Sequence, residues 1–285
     1  GPQGQGVKAI STLFNITRIY NSMAAVSIMR QGVSLATQYS RQRSAFGKML
    51  IEHPLHVETL AQPEMEVQAG FHLTFHVIGL LGKEECGTAT AEESSLLRLL
   101  IPLAKLYTAK QAVRVNSEVL ECFAGAGYVE DTGIPALLRD SQVLPIWEGT
   151  TNVLSLDVLR VLSKSDAWAV FHQVIQKRLA AITSPALRDE VGIVKESLPQ
   201  LQAFHSRAME EDANFFQASA RSLSLRLSQT MIACLMLEQA QEGAEPWAVA
   251  SARRFCRGEF TPLLHADRHR QEESRSLVNG DSPSG

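Results

Sequence analysis

The stretch ISTLFNITRIYNSMAAVSIMRQGVSLATQYSRQRS (10–44) decides the fold. Apolar residues return along it at helical intervals: Ile10, Leu13 and Phe14, then Ile28, Leu35, Ala36 and Tyr39, with Gly32 on the same course. That spacing follows the turn of an α-helix, not the alternation of a strand. One long helix is predicted over 9–44, ended by Phe46-Gly47.

The same pattern extends outward. Pro54 suits the first turn of a second helix, where its missing N–H would be unbonded anyway. That helix is predicted over 54–81, closed by Gly82 and Gly87, with Pro63 kinking or splitting it. Thr90 is a predicted N-cap for a third helix over 90–123, with Glu92 and Glu93 favouring its dipole and Pro102 as a second kink. The glycine loop AGAGY (124–128) follows, then a short helix at 135–141 and another at 151–162. Long helices with short connections predict an all-α helical bundle. Beyond 163 the helical segments are more polar: 165–183, 186–196, 199–241 and 245–264, punctuated by Pro185 and Pro199. The predicted organisation is a bundle over 1–162, a helical extension over 163–266 and a disordered tail over 267–285.

Composition narrows the function. Of 285 residues, 45% are hydrophobic and 20% charged, enough for a sizeable core. A net charge of -3 lacks the basic footprint of a nucleic-acid binder. The four cysteines, Cys86, Cys122, Cys234 and Cys256, have no zinc-type spacing and read as isolated reduced thiols of an intracellular protein. The apolar run 231–237 is far short of a membrane span. GPQGQGVKAI (1–10) has no signal-peptide pattern and opens on Gly1, which fits a processed chain or a piece of a longer one.

VLPIWEGTTNVL (143–154) holds the strongest candidate for chemistry. Glu148 reads locally in two ways. The threonines after it make a helix cap, which leaves the acid a structural role. Alternatively, Ile146 and Trp147 exclude water from the carboxylate and raise its proton affinity towards that of a general base. AGAG lacks the strand-then-helix context of a dinucleotide fingerprint. Arg41 and Arg43 either complement a helix dipole or meet a phosphate. His72 and His76 share a helix face, but HLTFH lacks the glutamate of a zinc-protease motif, so no metal is assigned.

Three stretches together resemble the acyl-CoA dehydrogenase superfamily: residues 14–48 with their Arg43-x-x-Phe46-Gly47, the glycine loop after the third helix, and LLRDSQVLPIWEGTTNV (137–153). The resemblance covers 6–162 and looks most like the AidB-type branch, whose extra C-terminal helices would account for 163–264. It implies the C-terminal four-helix bundle of a FAD-dependent oxidoreductase that desaturates an acyl-CoA thioester. Glu148 matches the base that removes the α-proton, while the β-hydrogen leaves as hydride to the flavin. The resemblance further implies that Arg43, Ser44, Ala45 and Phe46 meet the FAD phosphates. His53 and Pro54 match a flavin-contacting pair, with Pro54 replacing a usual Gln. Glu121, Cys122, Phe123, Ala124 and Gly125 match a loop that reaches FAD across a subunit interface. At Glu121 an acid replaces a common Gln. Gly149, Thr150, Thr151 and Asn152 match the flavin-contacting run after the base, with Asn152 replacing a Gln. Asn15, Ile16, Thr17 and Arg18 match a segment beside the acyl-CoA.

The family also has an N-terminal helical domain and a middle β-domain, and this chain begins where the latter would end. Expected partners are an acyl-CoA, further copies in a homodimer or homotetramer, and an electron-accepting flavoprotein. By analogy the compartment is mitochondrial or peroxisomal. Two other readings stand beside this one. One is an AidB-like flavoprotein associated with nucleic acid, which the acidic balance disfavours. The other is a shortened, non-catalytic form acting through bundle association.

Overall fold

The computed structural model describes residues 4, 6, 10–211, 213–243, 245–258 and 260–280. Three helices of similar length open the chain: α1 (Ser11–Gln42), α2 (Pro54–Glu85) and α3 (Ala91–Cys122). A short helix α4 (Ile134–Ser141) and α5 (Thr151–Lys164) complete the bundle. The extension follows as α6 (Ala167–Ala181), α7 (Arg188–Glu210), α8 (Ala213–Gly243), α9 (Pro246–Arg257) and α10 (Arg268–Asn279).

α3 is the axis of the molecule. Its sequence is apolar on nearly every face, from Leu96 to Val119, and a helix of that kind must be covered all round. It packs against α1, α2, α4, α5, α6 and α8. Thr90 caps its start by accepting from the Glu93 amide, and Glu93 accepts in return from the Thr90 amide at 2.9 Å. At Gly32 a side chain would meet Asn116 Oδ1 at 2.3 Å, so α1 crosses α3 closely enough that a larger residue would force the Asn116 side chain to move.

The buried residues form two clusters. One lies within the bundle, from Ala25 and Met29 on α1 to Leu137 and Leu144. The other runs from Leu73 and Leu99 through Phe171 and Val194 to Leu237 and Cys256. Bundle and extension therefore share one core. Across it Ser228 Oγ, which donates to the Ser224 carbonyl at 2.9 Å, lies 3.3 Å from the Leu103 carbonyl.

Several elements differ from expectation. Neither Pro63 nor Pro102 splits its helix; both are buried, and packing holds the helix across the missing N–H. Pro199 likewise lies inside α7, whose apolar stripe Val191, Val194, Leu198 and Leu201 runs through it. The break falls after Glu210 instead. After α1 the chain makes a minimal hairpin, β1 (Ser44–Ala45) paired antiparallel with β2 (Lys48–Met49). Phe46 (φ 51) and Gly47 (φ 86) turn it, the two positive φ values that a tight hairpin requires. The tail is helical over α10, contrary to the disorder predicted from 267. Asp267 caps it by accepting from the Arg270 amide at 2.9 Å, and the His269–Glu273 pair lies one turn apart. Residues 281–285 of that tail lie outside the described residues.

Candidate active site

Glu148 lies where α1, α3 and α5 converge. Its φ is +56, in the left-handed region that L-residues seldom occupy, and Gly149 follows at +100. The side chain turns to α1, where Glu148 Oε2 accepts from Thr17 Oγ1 at 2.8 Å. That hydroxyl has one proton, and the carboxylate is nearer than its other two acceptors, the Leu13 and Phe14 carbonyls at 3.1 Å. The neighbouring Arg18 pairs with Asp157 of α5 at 2.6 Å, which fixes α1 against the helix that Glu148 precedes. Asn21 Nδ2 donates to the Leu144 carbonyl at 3.2 Å and anchors the approach to the loop.

Beneath the loop is a residue that no motif pointed to. Lys105, on α3, is fully buried. Its Nζ donates to the Trp147 carbonyl at 2.8 Å and to the Gly149 carbonyl at 2.6 Å, one on each side of Glu148. Burial lowers its pKa to about 8; the nearby Arg18 charge adds to that and Glu148 opposes it. A hint was present in the sequence, because Lys105 is the lone cation in the apolar run LLIPLAKLY (99–107).

The predicted role for Ile146 and Trp147 needs correction. Their side chains are 62% and 51% exposed, and Glu148 itself is only half-buried. The loop turns both side chains outward, so they do not keep water from the carboxylate. Thr150 is the N-cap of α5, as its type suggested, although its side chain accepts from the Val153 amide at a long 3.5 Å. Thr151 is buried, whereas Asn152 is exposed. Asn15, Thr17 and Arg18 are half-buried and Ile16 is exposed.

The remaining site residues gather elsewhere. His53 Nε2 lies 3.0 Å from the Ala45 carbonyl, which can only accept, so that nitrogen carries the proton. The Phe46 ring stands edge-on to His53 and is 99% exposed at the hairpin tip. Arg43 and Ser44 are exposed, and no carboxylate pairs with Arg43 among the described residues. Pro54 is exposed at the start of α2. Phe123 is buried against Tyr39 with ring centroids 4.8 Å apart, which brings the loop after α3 to this same end of the bundle. Cys122 is buried, and burial pushes its thiol up to about 11. Glu121, Ala124 and Gly125 are exposed, and Ala124 also has a positive φ of 51. At Gly127 a side chain would meet the Leu120 carbonyl at 2.0 Å.

The structure thus builds two half-sites. Along α3, position 122 lies about 25 Å from position 105 at the helical rise. Glu148 and Thr17 share one half-site; the 43–54 and 121–125 segments share the other. Phe46, Ala124 and Glu148 are non-glycine residues with positive φ, and each lies in one of these segments. Strain of this kind collects at functional sites. Among the described residues no group of His, Cys, Asp and Glu could hold a metal, and His76 instead accepts from Arg178 at 3.2 Å. No described helix is long and apolar enough to cross a membrane.

Residues 4–163 match the family described as acyl-CoA dehydrogenase, C-terminal domain. The chain belongs to the acyl-CoA dehydrogenase family. Residues 166–281 match a second description, acyl-CoA dehydrogenase 11 C-terminal domain-like. Acyl-CoA dehydrogenase family member 11 of Caenorhabditis elegans is 40% identical over 90% of this chain and 43% of its own length. The putative acyl-CoA dehydrogenase AidB of Escherichia coli is 33% identical over 58% of this chain and 30% of its own. In structure, C. elegans ACDH-11 in complex with C11-CoA superposes with a TM-score of 0.94 at 36% identity, over 100% of this chain and 50% of that one. An acyl-CoA dehydrogenase from Bacillus anthracis complexed with FAD shares the fold at a TM-score of 0.78 and 20% identity, over 100% of this chain and 55% of that one. The chain spans about half the length of the first relatives it matches.

Proposed function

We propose that this chain forms the base-bearing half of a FAD-dependent acyl-CoA dehydrogenase that introduces an α,β double bond into an acyl-CoA thioester. The observation that carries the reading is the mounting of Glu148: a strained backbone, held from beneath by Lys105, with its carboxylate on Thr17. An acid that merely caps a helix has no need of such support. Here the cap belongs to Thr150.

In the reaction the Glu148 carboxylate takes the proton from the carbon next to the thioester carbonyl. The electron pair of that C–H bond becomes the new double bond as hydride leaves the β-carbon. A bound FAD supplies the acceptor for that hydride. Thr17 holds the carboxylate at one oxygen and leaves the other to meet the substrate. Substrate and flavin would complete the exclusion of water that Ile146 and Trp147 do not provide.

The second half-site suits a dinucleotide phosphate. Arg43 is an exposed guanidinium that pairs with no carboxylate among the described residues, three positions before the bare Phe46 ring. The 121–125 loop at this end matches the family segment that reaches the cofactor of a second copy, so the proposed working assembly is a homo-oligomer. Glu121, an exposed acid on this end, weakens the phosphate contact there.

The test is Glu148→Gln in a protein that carries the whole family unit. General-base removal is expected to slow acyl-CoA-dependent flavin bleaching by about 10²–10⁴-fold. Bleaching at the unmodified rate would overturn the assignment. A DNA-binding assay addresses the other flavoprotein reading, and salt-dependent binding would support it instead.

A further inference from the structure

We infer that Lys105 is a positioning residue for the base: its ammonium locks the left-handed backbone of Glu148 by bonding the carbonyls on either side. The inference rests on the reading of Glu148 as base for its catalytic consequence, but its structural part stands alone.

Lys105 is unusual in what it bonds. Among the described residues it pairs with no carboxylate, although it is fully buried. A buried cation without a bonded carboxylate is costly, and charge-assisted bonds to two carbonyls compensate for it, with the nearby Glu148 charge adding support. The Trp147 carbonyl belongs to the peptide that sets φ of Glu148, and the Gly149 carbonyl lies one peptide beyond the one that sets its ψ, so the two bonds pin both ends of the Glu148-Gly149 segment. When both are held, a residue that would relax to a common conformation keeps a φ of +56. Relaxation would swing the carboxylate off Thr17, and misplacement by about 1 Å is enough to slow a proton transfer severely. Burial draws the ammonium down to about 8, so it remains mostly charged at neutral pH. Lys105 bonds the peptides beside Glu148 rather than its carboxylate, so it acts through Glu148.

The first test uses the chain as it stands. Lys105→Met keeps the length and fits an apolar helix, so the core should survive. Amide hydrogen exchange over 145–150 is expected to rise at least about tenfold, the order of the strain a left-handed residue carries, with the α3 and α8 amides unmoved. Lys105→Arg, which keeps the cation and its donors, should restore most of the protection. If Lys105→Met fails to fold, Lys105→Gln against Lys105→Arg makes the same comparison. Unchanged exchange in the loop would overturn the inference.

The second test uses a protein that carries the whole family unit. There Lys105→Met should lower kcat at least about tenfold with KM and flavin content little changed, and should raise the isotope effect from an α-deuterated acyl-CoA. A fall in kcat with an unmoved isotope effect would refute the positioning role. Should Glu148→Gln keep full activity, the base reading fails, yet the exchange result still decides what Lys105 holds.

Discussion

Lys105 and Arg178 are both drawn into the protein interior, and they are used in opposite ways. Among the described residues Lys105 donates to two backbone carbonyls and hydrogen-bonds no carboxylate. Arg178, on α6, pairs with Glu238 of α8 and donates to His76 of α2. The first cation fixes the conformation of one loop. The second joins three helices at the seam between bundle and extension. A cation bound to carbonyls specifies shape locally, whereas one bound to a carboxylate across helices specifies which elements meet. Strain follows the same division: positive-φ non-glycine residues occur in the half-sites, and the seam has none among the described residues.

The seam should resist division. Phe171 is 1% exposed within the core that both parts share. Phe171→Ala is expected to cost about 3–5 kcal/mol and to shift a single unfolding transition. Two separate transitions in calorimetry would break the comparison by making the extension an independent body.

A smaller effect should appear with acid. His76 is brought to about 4, first by burial and then by the Arg178 and Lys83 charges. The unfolded chain takes up that proton near 6.5, before the folded one does. Stability therefore falls as pH drops from about 6.5 to 4, with no further loss from this group below that. Glu238, raised by burial, acts in the opposite sense and softens the slope. His76→Gln should flatten the pH dependence of the melting temperature, and an unaltered slope would remove His76 as its source.

The smallest effect belongs to the loop. Thr150→Ala removes a cap bond of 3.5 Å, so the loss should be at most about 0.5 kcal/mol, near the low end for N-caps. A larger loss in a denaturant titration would shift support of the loop from Lys105 to the cap.

How much of this was legible in the sequence depended on range. Helical spacing and the Thr90 cap predicted α1, α2 and α3 because both signals are local. Pro199 misled because a proline normally ends a helix. Here the Val191–Leu201 stripe, packed on its neighbours, overrides it. The hairpin at 44–49 has two-residue strands, too short to show a period. Glu148 was found through the order of three motifs, not through local physics. The expected shielding by Trp147 failed because a residue's type does not say which way its loop will turn it. Lys105 escaped notice because its partners are backbone atoms 42 and 44 residues away, and carbonyls leave no mark in a pattern of residue types.

The covering of α3 by α8 also bears on how the protein is made. Leu103 and Ser228, which touch in the finished core, are 125 residues apart. At a synthesis rate of about 5–20 residues per second, the ribosome needs about 6–25 s to supply the second after the first. For that interval the apolar face around Leu99 and Leu103 has no α8 against it. Each nascent chain thus passes through a period of exposed core, during which an attendant chaperone has something to hold.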